Sequence, residues 1–148
     1  MTNLELIAKA LAETKARQAD LLGRQQTAEN ALPALKKALY AESLGGLGEA
    51  DKAGKVDAEK VKALAESIQA KSFEIAALKE ELRATGRQCA ELESRHERLL
   101  SEARRLAAQM NAALLPALWL AVTGPESVEA EIGPMRQRYR EIAGDVVV

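Results

Sequence analysis

Four features of this chain could do chemistry: one histidine, one cysteine, a glycine-bearing loop that ends in lysine, and a concentration of arginines. Cys89 and His96 are seven residues apart. On a helix they share a face but stand about 10 Å apart along the axis, too far to share one metal ion. A single His and a single Cys also cannot fill a four-ligand zinc site from one chain. No metal is expected. With one cysteine an intrachain disulfide is impossible, and Cys89 reads as a small buried hydrophobe.

The loop GEADKAGK resembles a phosphate cradle only in composition. That motif needs four residues between Gly and Gly-Lys, then Ser or Thr, after a strand. Here five residues separate Gly48 from Gly54, and Val56 follows Lys55. Asp51 and Asp57 miss the spacing of a calcium loop. Glu93 and His96 form an E-x-x-H pair, but it does not recur as the metal sites of helical bundles require. No serine or cysteine nucleophile has a base placed by spacing, since His96 would serve alone. The chain therefore reads as a non-enzyme with no catalytic, cofactor-binding or metal-binding residue.

The arginines carry more information. All ten lysines lie at or before Lys79, while nine of eleven arginines lie at or after Arg83. Arginine suits fixed, two-pronged contacts better than lysine does, so the C-terminal half is a candidate partner surface as well as an ordinary solvated face. Nucleic acid is not expected. Glu91, Glu93, Glu97 and Glu102 dilute the patch, no aromatics accompany it, and 21 basic against 22 acidic groups leave a net charge of -1.

The elements that carry these residues are helices. Aromatics are 3% of the chain, and alanine and leucine dominate its apolar residues, a composition that favours helix over strand. An apolar stripe with alternating steps of three and four runs from Val61 to Leu120. It passes through Val61, Leu64, Ile68, Lys71, Ile75, Leu78, Leu82, Thr85, Cys89, Leu92, His96, Leu99, Ala103, Leu106, Met110, Ala113, Ala117 and Leu120. A second stripe passes through Leu4, Ile7, Leu11, Thr14, Gln18, Leu21, Gln25, Ala28, Leu32, Leu35 and Leu39. This spacing keeps a seam facing a partner helix.

The expected fold is all-α: a long antiparallel helical hairpin, built as a coiled coil, with a longer second helix and a short C-terminal helix. The first helix should start near Asn3, taken as its cap, and last to about Leu44, with Pro33 kinking it rather than ending it. Residues 45–56, with four glycines, form the hinge, and Asp57 caps the second helix. Three regions follow. Residues 1–98 form the hairpin, 99–122 an apolar extension, and 123–148 a short helical tail, with a cap at Ser127 and a break at Gly133–Pro134.

The second helix should reach roughly 95 Å and the first only about 63 Å at 1.5 Å per residue. In the folded-back register Leu21 lies near Leu78, Gln18 near Leu82 and Leu4 near His96, where the first helix runs out. The surplus stripe must be covered by a second copy, by another protein, or by the tail folding back. A second copy is the expectation. The association residues are then Leu99, Leu106, Met110, Leu114, Leu115, Leu118, Trp119 and Leu120. The resulting reading is an oligomeric coiled-coil spacer or scaffold, with a helical chaperone or adaptor holding a partner's helix as the alternative. The first segment lacks the pattern of a signal peptide. The apolar run from Ala112 to Val122 is too short to span a bilayer. A cytoplasmic protein with no membrane partner is expected.

Overall fold

The structure is a computed structural model that describes residues 1–44, 56–119 and 125–144. It contains three helices, α1 (Asn3–Leu44), α2 (Ala58–Trp119) and α3 (Pro125–Ala143), with no strand among the described residues. The hinge at 45–55 and the closing residues 145–148 lie outside the described residues.

The helix starts follow from their side chains. Thr2 caps α1: its Oγ1 accepts from Glu5 N at 3.2 Å, while Glu5 Oε2 accepts from Thr2 N at 2.8 Å. This is the reciprocal box written T-x-x-E, so the expected cap at Asn3 moves one residue earlier. Glu5 is held below the ordinary glutamate range first by that backbone hydrogen bond. Asp57 caps α2 as expected, with Oδ1 accepting from Glu59 N and Lys60 N at 3.2 and 3.3 Å. α3 starts at Pro125, two residues before the expected cap at Ser127. Proline suits a first helical position because its missing N–H would be unpaired there anyway.

Pro33 lies inside α1 and Pro134 inside α3. α1 continues through Pro33, as expected. α3 continues through Gly133 and Pro134, which overturns the expected break. In each case the carbonyl left without its N–H belongs to the residue four positions earlier, Glu29 or Ala130. Pro33, Pro134 and Ala130 are exposed and Glu29 is half-buried, so water can take the freed group.

Every position of the stripe from Leu4 to Leu39, and every position of the other from Val61 to Ala113, is buried or half-buried. The helices contribute to two compact units, one of Ala16–Gly86 and one of Met1–Lys15 with Arg87–Val148.

In the Ala16–Gly86 unit, Leu21 and Ala28 of α1 and Ile75 and Leu78 of α2 are buried. Charged pairs flank them: Arg17 with Glu81, and Glu29 with Lys79 at 2.9 Å. Gln18 lies beside Gly86, where an added Cβ would stand 3.7 Å from Gln18 Nε2. As numbering rises from Gln18 to Ala28 on α1, the neighbours on α2 fall from Gly86 to Lys71 and Glu74. The helices run in opposite senses, as in a hairpin. The Gln18 side chain reaches Gly86, while its neighbour Arg17 pairs with Glu81.

In the other unit, Ala103, Leu106 and Ile142 form a buried cluster, with Leu4, Leu99, Met135, Tyr139 and Ala143 packed against it. Leu4 of α1 packs against the same cluster as Leu99 of α2. Lys15 Nζ lies 2.7 Å from Glu93 Oε1, and this hydrogen-bonded carboxylate raises the lysine pKa.

Candidate functional site

The surplus stripe of α2 is the natural place to look for function, because a helix must bury its apolar side somewhere. α3 answers part of that need within the chain. Its own stripe of Ile132, Met135, Tyr139 and Ile142 follows helical spacing, and Ile132 and Ile142 are 1% and 0% exposed. Leu106 and Met110 are 7% and 6% exposed in the single chain, and Leu99 and Leu114 are half-buried. The side chains of Leu115, Leu118 and Trp119, and Leu120 altogether, lie outside the described residues. Met135, Tyr139 and Ile142 are legible in the sequence as an apolar helix side. Ile132, three residues before Met135, extends the same pattern and was the missed signal.

α3 is also tied to α2 by charge. Arg138 Nε donates to Glu102 Oε1 at 2.9 Å and its Nη2 to Oε2 at 3.4 Å, while Nη1 reaches Glu141 Oε2 at 3.1 Å. Glu102 is shifted below the ordinary glutamate range, first by the Arg138 hydrogen bond, and Arg138 is shifted upward by the same contact. Beside this pair, Arg98, Ser101, Glu102 and Arg105 line an open hollow of about 360 Å³. Further along the same unit, Gln109, Ala112 and Ala113 of α2 and Glu131 and Met135 of α3 line a second, of about 420 Å³.

The Ala16–Gly86 unit has a hollow of about 400 Å³ lined by Asp20, Gly23, Arg24, Thr27, Ala28, Lys71 and Glu74. Gly23 adds no side chain to it, and Lys71, on the stripe, pairs with Glu74 at 2.6 Å. Its acids and bases balance. Phe73, Leu22 and Tyr40 are more than half exposed.

Cys89 is buried at 7% exposure, consistent with its position on the stripe, and His96 is half-buried. Thr14 and Thr85 are buried on the stripe, and each hydroxyl donates to a carbonyl four residues back, Ala10 O at 2.7 Å and Glu81 O at 2.8 Å. Buried hydroxyls need such partners. Among the described residues no group of three or more His, Cys, Asp or Glu side chains could hold a metal ion, and no helix is long and apolar enough to cross a membrane.

No protein family, curated protein or solved structure compared with this chain matches it.

Proposed function

We propose that this chain is a structural or assembly protein, an antiparallel coiled-coil hairpin that acts as an oligomeric spacer or scaffold in the cytoplasm. Its role is exercised through surfaces rather than catalysis. The observation that supports this reading is the stripe itself: helices of 42 and 62 residues carry one seam that is covered at every described position. Charged pairs flank it, Lys15 with Glu93, Arg17 with Glu81 and Glu29 with Lys79, the arrangement that sets partner and orientation in coiled coils.

The proposed association segment is the end of α2, Leu114, Leu115, Leu118, Trp119 and Leu120. Leu106 and Met110 are already buried in one copy and Leu99 is half-buried, so less of their surface is left for it. Sedimentation equilibrium tests this directly. A mass that is a multiple of 16.0 kDa is expected, falling to one copy in Leu118→Asp/Trp119→Asp with helicity retained. A wild-type mass of one copy at all concentrations refutes the oligomer.

A further inference from the structure

Arg98, Ser101 and Arg105 stand three and four residues apart along α2, the spacing that sets side chains next to one another on a helix face. With Glu102 they line the 360 Å³ hollow described above. Ser101 and both arginines are exposed. Arg98 donates from Nη2 to Ser94 Oγ, one turn back on α2, at 3.2 Å, and most of its five donors are left for another acceptor. Glu102 is the carboxylate of the hollow, and both its oxygens accept from Arg138. Arg138 grips it with two prongs and shares Glu141 as well, so Arg98, Arg105 and Arg138 set three positive charges against two negative ones.

We propose that this hollow is a binding site for a phosphate-class oxyanion. Arg98 lies about one turn before Ser101 and Arg105 about one turn after it, with the serine hydroxyl between them. A tetrahedral oxyanion presents oxygens to all three donors, whereas a carboxylate has two to share. The guanidinium fork matches phosphate better than an ammonium does. The anion arrives as free phosphate or a small phosphomonoester, or as a phosphorylated side chain of a protein partner. Arg138 is a positioning residue: without it, the freed Glu102 carboxylate would repel the ligand. Because Arg138 belongs to α3, the site is complete only while α3 is docked on α2. Nothing in this site requires the chain to be an oligomer.

The test is an amide NMR titration of the full chain with sodium phosphate, and separately with a short phosphoserine peptide and its unphosphorylated counterpart, at ionic strength fixed with chloride. Saturating shifts centred on residues 98–105 are expected for phosphate, for the phosphopeptide, or for both, and not for the unphosphorylated peptide. Arg98→Gln and Arg105→Gln should each weaken binding about tenfold, the scale of one charged hydrogen bond. Arg138→Gln should weaken it less, and Arg83→Gln, elsewhere on α2, not at all. Ser101→Asp, which puts a carboxylate into the hollow, should abolish it and gives a second route if an arginine variant loses helicity. Phosphopeptide binding at least about tenfold tighter than phosphate assigns a protein-borne ligand, and comparable affinities assign a small one. Shifts that rise without saturating, or that persist in Arg98→Gln/Arg105→Gln, overturn the site.

Discussion

Ile142→Ala tests whether α3 covers α2 within a single chain. Ile142 has no exposed surface and packs in the cluster with Ala103 and Leu106, which Leu4, Leu99, Met135, Tyr139 and Ala143 complete. The change deletes roughly three methyl or methylene groups, worth about 0.8 kcal/mol each in transfer alone, or roughly 2.4 kcal/mol. Incomplete collapse of the space left behind adds to that, so a loss of about 3 kcal/mol is expected, inside the usual range for large-to-alanine core changes. A helix of 19 residues must recover backbone ordering costs on the order of 1–2 kcal/mol per residue from its contacts. Such a loss should therefore release α3 before it unfolds the hairpin. Urea denaturation followed by circular dichroism reads the total. Native-state hydrogen exchange reads the place, with protection falling first in amides of residues 130–143 while those around Leu21 and Leu78 persist. Leu22→Ala, at a side chain 57% exposed, is the control and should stay within about 0.5 kcal/mol. A loss below about 0.5 kcal/mol for Ile142→Ala, with α3 exchange unchanged, would refute the cover.

Gly23→Ala should stabilise the chain by about 0.5–1 kcal/mol, since an added Cβ meets nothing within 4 Å, and thermal melting checks it. Gly144→Ala should do the reverse: its φ of 89° is left-handed, and its Cβ would come 3.2 Å from Thr2 Cγ2, so the midpoint should fall. Thr2→Ala should cost about 1 kcal/mol by removing the hydroxyl half of the α1 capping box, read by the same melts. Glu29, lowered first by Gln25 and then by Lys79, and Glu5 and Glu102, lowered as described, should titrate below the other glutamates in a carboxyl-carbon NMR series. Because their folded pKa values lie below the unfolded ones, the stability they add is present above the ordinary carboxylate range. It is lost as pH falls through the folded values.

The stripes were legible because their period is local and needs no knowledge of the partner. Even Thr14, Gln18, Lys71 and Thr85 were placed on them by phase alone and are not exposed. The register is not specified by the apolar residues alone. A slide of one stripe step along a seam of Leu, Ile and Ala still sets apolar against apolar, so hydrophobic burial barely distinguishes the alternatives. What distinguishes them is flanking detail: Gln18 beside Gly86, where a missing side chain makes room, and the flanking charge pairs. The same holds for the helix ends. The capping box Thr2-x-x-Glu5 was open to reading, whereas the passage of α3 through Pro134 depends on the exposure of Ala130 and Pro134, a tertiary property.

α1 is shorter than α2 as expected, and α3, rather than only the expected second copy, packs on part of the surplus stripe. Leu4 at the beginning of α1 and Ile142 at the end of α3 share the same cluster on α2, and the site of an added Gly144 Cβ lies 3.2 Å from Thr2. α3 therefore takes over the α2 stripe where α1 stops. Met135, earlier on α3, lines a hollow with Ala112 and Ala113, later on α2, so α3 runs back along α2 in the opposite sense. That placement does two things together. It buries Leu106 in a single copy, which moves the proposed association segment toward Leu114–Leu120. It also brings Arg138 onto Glu102, which leaves Arg98 and Arg105 as the dominant charges around Ser101. The cover and the positive hollow thus have one cause, the docking of α3. Any perturbation that releases α3, Ile142→Ala included, should weaken phosphate binding at Ser101 without touching a residue of the hollow. Phosphate affinity unchanged in a variant whose α3 amides have lost their protection would separate the two and remove Arg138 from the account.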